Sequence, residues 1–572
     1  MKHLYFIVLI FLSLVVSKAL VAQNFNTGEI HGNIQLDGQY YVTDSVIRAF
    51  APDEKMGLNG YANLLYNKGN FTAGMRYELY APPLLGFPAG AKWTGNGIGY
   101  KFLQYNLDGL DVTVGNYYEQ FGNGLIYRTW EDRNLGVDNA MEGVRLKYTI
   151  YKGVYIKGIY GKQRLAFDNG LVNGTGLVRG ADLEINLNEL LDSSLSSKTR
   201  IFFGGSFISK YQKDDDPSFN FPENVNAFAG RIGIARGKFA INGEYAYKTV
   251  DPSLQNSAII KIPGYLSPGT GLYKTGHGLF VNASFSQKGL GVSVTAKSID
   301  NMSFQSSRGA GPFDLNINYL PASTIQHTYN LAATLYPYAT QPNGEVSYMT
   351  EIFYNIKKNS ALGGKYGMDL AVNSSVIFAP KFAVLNDLET SRVGVKTNLF
   401  AASNQLYFSD INVKLSKKFS PKFKASYMYL NFVYNGAVLK GAYDYDNVAF
   451  EGFVYADIHI VEMQYKIKHN QSLRTELQFL KTKQHLQDWA TGLLEYSVSP
   501  HWFFSILDQW NFGNDNPDTR FHFLIGSAGY IKNANRFTLS YGKQRAGIFC
   551  VGGVCRVVPA SNGVTLSITS SF

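Results

Sequence analysis

The stretch "EIHGNIQLDGQY", Glu29 to Tyr40, decides the fold. Ile30, Gly32, Ile34, Leu36, Gly38 and Tyr40 share one parity; Glu29, His31, Asn33, Gln35, Asp37 and Gln39 share the other. Successive side chains of a strand point to opposite faces. This segment therefore has one apolar or small face and one wholly polar face.

The same period recurs along the chain. "FTAGMRYEL" sets Phe71, Ala73, Met75, Tyr77 and Leu79 against Thr72, Gly74, Arg76 and Glu78. "FAINGEYAYK" sets Phe239, Ile241, Tyr245 and Tyr247 against Asn242, Glu244 and Lys248. "LGVSVTAK" sets Leu290, Val292, Val294 and Ala296 against Ser293, Thr295 and Lys297. "SLRTELQF" sets Leu473, Leu477 and Phe479 against Arg474, Glu476 and Gln478. Alternating runs of about ten residues have the length that crosses a bilayer as a tilted strand.

Connections between these runs alternate in length. Short turns are expected at Asn67–Asn70, Asp108–Gly109, Lys152–Gly153, Arg236–Lys238, Gln287–Gly289, Lys417–Pro421, Lys468–Gln471, Ser499–Pro500 and Lys532–Asn535. Long polar or Gly/Pro-rich segments lie between them, as at Ala81–Gly97, Gln120–Met141, Tyr211–Glu223, Asp251–Thr275 and Asn301–Ile325. Short turns on one side and long loops on the other mark an outer-membrane barrel. The expected fold is all-β: a transmembrane antiparallel β-barrel with about 20–26 strands, an even number. Counting hairpins inward from both ends reaches about 26 if Ala379–Ala402 supplies one more strand. "NIKKNSALGGKYG", Asn355–Gly367, reads as a loop or as a piece folded into the lumen.

Composition agrees. Aromatic residues make up 15% and charged residues 17% of 572, with 57 glycines, a mix that suits strands and tight turns. The start is a leader: Met1-Lys2-His3, an apolar core Leu4–Val16, and small residues for cleavage after Ala22. The expected organisation is thus a signal peptide over 1–22 and one barrel domain over 23–572. Lys2 and Lys18 leave with the leader, so the mature chain stays mildly basic. It lacks the Lys/Arg clustering of a nucleic-acid binder. The first strand begins soon after the leader, which leaves no room for an N-terminal plug domain.

The closing run "VTLSITSSF" alternates Val564, Leu566, Ile568 and Phe572 against Thr565, Ser567, Thr569 and Ser571. It resembles the C-terminal signal that outer-membrane barrels present to the barrel-assembly machinery. Ser570 interrupts the apolar row.

Both cysteines lie in "CVGGVC", Cys550 to Cys555. Gly-Gly is a favoured two-residue hairpin turn. Val551 then faces Val554, and Cys550 faces Cys555 in a non-hydrogen-bonded pair with Cα atoms about 4.5 Å apart, within reach of a disulfide. The leader implies an oxidising compartment, so a disulfide stiffening an extracellular tip is the first reading. Two thiolates fall short of the four ligands of structural zinc; a redox pair remains open.

"YYEQFGNGLIYRTWEDRNLGVDNAMEGVR", Tyr117–Arg145, concentrates Glu119, Arg128, Glu131, Asp132, Arg133 and Asp138 between two strands. It reads either as a loop folded into the lumen or as a loop that braces itself with salt bridges. "KDDDPS", Lys213–Ser218, and "GNDNPD", Gly513–Asp518, cluster oxygens without calcium-loop spacing, and their residues are also turn formers. The histidines are scattered, with no GxSxG or HExxH motif. No enzyme activity and no cofactor are expected.

Together "YYEQFGNGLIYRTWEDRNLGVDN", "YGKQRAGIFCVGGVCRVVPASNG" and "LRTELQFLKTKQHLQDWATGLLEYS" resemble large Bacteroidota outer-membrane barrels of no assigned activity. The resemblance implies a barrel in a Gram-negative outer membrane and supplies no site residues. Two functions follow as expectations. One is a porin-like passive channel for small solutes, with Arg76, Glu78, Asp111, Glu244, Lys248, Lys297, Arg474 and Glu476 facing its lumen. The other is a structural or accessory subunit of an outer-membrane assembly or secretion complex. Expected partners are outer-membrane lipid, the assembly machinery during biogenesis and, for the second reading, other subunits of that complex.

Overall fold

The computed structural model describes residues 28–88, 90, 92–191, 198–215, 220–252, 273–311, 313–385, 393–439, 452–551 and 554–572; of 549–551 and 554–555 it describes the backbone. The expected leader lies outside these residues. Among the described residues, one sheet of 24 strands closes on itself. The first strand, Glu29–Tyr41, pairs antiparallel with its neighbour Met56–Lys68 and with the last strand, Ser561–Ser571. Closure leaves no unpaired edge, the condition for strands to cross a bilayer.

The wall runs in hairpins, and sequence explains its turns. Asp108 and Gly109 both take positive φ (47° and 82°), the conformation a two-residue hairpin loop demands. Trp93–Leu107 and Leu110–Tyr117 are registered across that turn. The predicted parity is clear in the regular strands. In Asn224–Arg236, Phe228, Ile232 and Ile234 are exposed outside, while Val225, Ala227 and Arg231 are buried inside. Leu103, Val114, Ile241, Ile411 and Leu539 continue the exposed apolar belt. Among the described residues no helix is long and apolar enough to cross a membrane.

The strand number departs from the count of 26. Ala379–Ala402 adds no strand of its own. Its described residues, 379–385 and 393–402, prolong the two strands Met368–Val384 and Val395–Lys418, whose register still pairs Phe382 with Thr397 and Val384 with Val395. Register shifts at Phe378, Pro380 and Phe382, with Phe400 at φ 58°, break the alternation there. Asn355–Gly367 is the connection between Gly344–Ile356 and Met368–Val384, on the short-turn side.

At the seam, Phe572 and Gly32 exchange backbone hydrogen bonds, both 2.9 Å. The Phe572 ring occupies the place a Cβ at Gly32 would take. The same device recurs across strand pairs: Phe102 lies on Gly74, Phe202 on Gly233 and Phe503 on Gly529. Each ring covers a bare backbone that a larger residue would push away.

Candidate functional site

The lumen is the candidate site, and what fills it begins with a defect in the wall. Strands Leu110–Tyr117 and Met141–Tyr151 are short. Above them Trp93–Leu107 and Val154–Asp168 come together, pairing Trp93 with Phe167 and Thr94 with Asp168 in parallel. Below that closure the segment 118–140 turns inward. Phe121, Leu125, Ile126, Tyr127 and Leu135 within it are fully buried.

Charged groups hold this segment to the wall. Arg164 donates to both Glu78 oxygens (2.8 and 2.7 Å) and to Asp138 Oδ2 (2.8 Å). Arg76 donates to Glu78 Oε1 at 2.7 Å, pairs with Glu131 at 3.0 Å, and also meets Asp138. Tyr118 donates to Asp138 at 2.8 Å and stacks on Tyr100. The Trp93 ring covers the Arg164 guanidinium at 4.5 Å. Arg164 and Glu78 have no solvent-exposed side-chain surface. Such a network is secure only when every member is paired, because each lone buried charge is costly.

The other end of the segment is held as firmly. Glu244 accepts from the Asn123 backbone N–H at 2.7 Å and from its side-chain amide at 2.9 Å. Glu119 lies 2.7 Å from Lys147 and 3.0 Å from Lys157. Burial pushes the Glu119 carboxyl up, but these lysines and the Gln120 N–H outweigh it and hold it below its ordinary range. Asp111 pairs with Arg145 at 2.9 Å.

The long connection 301–343 also enters the lumen, where an extracellular loop was expected. Arg128 N–H donates to Ile317 O (2.8 Å), Asn318 donates to Leu125 O (3.1 Å), and the Arg128 guanidinium lies 3.9 Å from the Tyr319 ring centre. Wall lysines catch the connection: Lys248 donates to Ser303 O at 2.5 Å, and Lys297 pairs with Glu345 at 2.7 Å and meets Pro321 O. Further along, the helix Asn330–Leu335 buries Leu331, Ala332 and Leu335 among inward-facing Leu430, Phe432, Ala456, Ile458 and Trp489. Gln478 accepts from Leu331 N–H at 3.1 Å, and His327 pairs with Asp410 at 2.6 Å.

The cysteine segment departs from expectation in place, not in register. Gly547–Val551 and Val554–Val558 form a separate two-stranded ribbon that pairs Cys550 with Cys555 and Val551 with Val554. Its base is not an exposed tip. Ile548 is buried, and Arg556 donates to Gly86 O (2.8 Å) and Leu85 O (3.3 Å), in the connection after Tyr80, and to Asn134 O (2.7 Å) in the inward segment 118–140.

Among the described residues the lumen is filled by internal connections, 118–140 and 301–343, and for 118–140 this is the lumen-folded of the two readings the sequence left open. The structure brings Arg76 and Glu78 into one network with Arg164. Glu244, Lys248 and Lys297 each touch an inserted or adjoining segment. Arg474 and Glu476 pair with each other on the opposite wall, alongside Glu462 and Glu495. Toward the short turns the inner face is polar, with neutral pairs such as Asn33–Asn63, Ser527–Ser540 and Asn282–Thr295 beside ion pairs such as Asp111–Arg145. Between the helix Asn330–Leu335, the ribbon and the wall lies a cavity of about 390 Å³, within the small-molecule range.

The oxygen-rich loops read as turns where described. Asn516 caps the 3₁₀ turn Pro517–Thr519 by accepting from Asp518 N–H. Lys213–Ser218 falls partly outside the described residues. Among the described residues no group of three or more His, Cys, Asp or Glu is arranged to hold a metal ion. Sequence reasoning missed Arg164. Its signal was weak: Gln163 and Arg164 are consecutive and both buried, so parity fails where the wall narrows.

The family described as "Family of unknown function (DUF6029)" matches residues 1–572. No curated protein matches. Among solved structures the chain is similar to the siderophore receptor PirA from Pseudomonas aeruginosa, at 10% identity and TM-score 0.39, over 96% of this chain and 80% of that one. It is similar to Pseudomonas aeruginosa OpdK with vanillate, at 9% identity and TM-score 0.37, over 79% and 99%. It is similar to the P pilus usher PapC translocation pore, at 7% identity and TM-score 0.30, over 95% and 99%.

Proposed function

The chain belongs to the DUF6029 family, whose function is unknown, and we propose that it is an outer-membrane barrel passing small solutes by diffusion along a lumen narrowed by its own inward-folded segments. The exposed apolar belt supports the location. Rings of Leu, Ile, Val and Phe around the whole perimeter are solvated by lipid and would aggregate in water.

The observation that carries the channel reading is the division of the inner face. Its short-turn half is lined by Ser, Thr and Asn together with ion pairs such as Asp111–Arg145, a polar wall that water and small polar solutes wet. Its long-loop half holds the segments 118–140 and 301–343, which restrict the path to seams between insert and wall. This differs from a wide passive pore: passage is porin-like in mechanism and set by those seams.

A second reading, a non-conducting accessory barrel of an outer-membrane complex, is favoured by one feature. The inserts bury apolar side chains against the wall in two separate clusters, as a permanent core does. Planar-bilayer recording of the purified protein decides between them. Discrete conductance steps are expected. A silent protein, inserted and correctly folded, refutes the channel and leaves the accessory reading.

A further inference from the structure

We propose that the cavity beside the helix Asn330–Leu335 binds a small aliphatic monocarboxylate that also carries a neutral amide or hydroxyl group; the proposal rests on the lumen being a solute route. The wall side comes from strands Trp502–Trp510, His522–Lys532 and Asn535–Gln544, and the lumen side from the helix and the ribbon.

Charge comes first. Arg545 is the one charged side chain among the described lining residues, so an anion entering meets a guanidinium set among neutral lining side chains. Arg545 is already fixed: its guanidinium lies 5.1 Å from the Trp489 ring centre, Nε donates to Gln509 Oε1 at 3.2 Å, and Nη2 meets Thr334 Oγ1. A planar fork held in place loses little freedom on capturing a planar carboxylate.

The other lining groups define the rest of the guest. Gln509, Gln544 and Asn330 offer amides, which both donate and accept and so suit a neutral polar group. Leu507, Ile525 and Ile548 add aliphatic surface to the lining. Inorganic phosphate would leave that surface uncovered, and a plain hydrocarbon would set an apolar surface against a guanidinium and three amides.

N-acetyl-leucine combines all three features; N-acetyl-leucinamide has nearly its shape and no charge. Equilibrium dialysis of each is run against the purified full-length barrel in detergent. The acid is expected to bind saturably, and the amide at least about tenfold more weakly, the usual loss when a charge-assisted hydrogen bond is removed. Arg545→Gln is expected to abolish the difference, and Leu507→Trp, which fills the cavity, to weaken both. Heat-modifiable migration confirms that each variant keeps its barrel. Absence of saturable binding, equal binding of acid and amide, or a preference that survives Arg545→Gln overturns the site. Phosphate competing as well as the acid overturns the aliphatic component. The measurement needs no membrane, so a silent bilayer recording leaves it standing. Conductance with no binding strikes this site alone.

Discussion

Arg164→Met should release the inward segment 118–140 while leaving the barrel closed. Arg164 makes three charge-assisted hydrogen bonds, two to Glu78 and one to Asp138, with no exposed side-chain surface. Removing one partner of such a buried set costs about 3–5 kcal/mol, because the carboxylates left behind stay desolvated. Arg76 remains in contact with both acids, so the lower figure applies, about 3 kcal/mol, which is roughly 150-fold in an opening equilibrium. Hydrogen exchange read by mass spectrometry measures it directly. Peptides from 118–140 should exchange about that much faster, and peptides from Phe423–Asn435, on the far wall, should not change. A rise below about tenfold, or an equal rise in both peptides, refutes the latch. Adding Asp138→Asn to Arg164→Met removes one stranded charge and should recover most of the protection. Arg164→Lys restores the charge without the fork and should fall between.

Three further outcomes follow. Glu119 has a lowered carboxyl pKa, so its pairing with Lys147 and Lys157 stabilises fully above the ordinary value of about 4.3 and is lost as pH falls through the lower folded value. Exchange in Tyr118–Thr129 should therefore accelerate only under acid, and an onset near neutrality would contradict the assignment. Gly32→Val should cost about 1–3 kcal/mol by overpacking the Phe572 ring at the seam, lowering the heat-modifiable folded fraction after refolding; an unchanged fraction sinks the docking argument. Cys550 and Cys555 stand directly opposite in the ribbon, so maleimide should label neither without reductant and both with it. Labelling at both before reduction would rule the bridge out.

The faces of the wall were legible because lipid and lumen impose period two on every strand. Ile30 to Tyr40 in the first strand and Val564 to Ile568 in the last obey it without exception. The destination of the connections was not legible, because alternation inside a strand says nothing about where the chain goes after leaving it. A signal was nonetheless present. "QFGNGLIYRTW" carries Phe121, Leu125, Ile126, Tyr127 and Trp130 in what had to be a solvated loop, an apolar density that water does not favour. Ala379–Ala402 misled for the opposite reason. Its strands are real, but bulges at Phe378 and Pro380 erase the alternation by which strands are recognised.

A polar inner face has two physical uses, wetting and docking, and burial separates them. Lys210 with Asp251, Lys297 with Glu345 and Arg164 with Glu78 are all inside and almost wholly buried. A charge meant to attract solutes keeps a water-facing side, and these do not. They anchor strand ends and inserted segments, so breaking them frees those segments rather than retuning selectivity. Charges left partly wet, such as Arg474 among Glu462, Glu476 and Glu495, are the ones that can act on a passing solute. Charge substitutions at Arg474 should accordingly shift ion selectivity with the inserts intact, whereas those at Arg164 should change conductance only by freeing a segment. The two classes carry the same residue types; only the packing of the connections tells them apart.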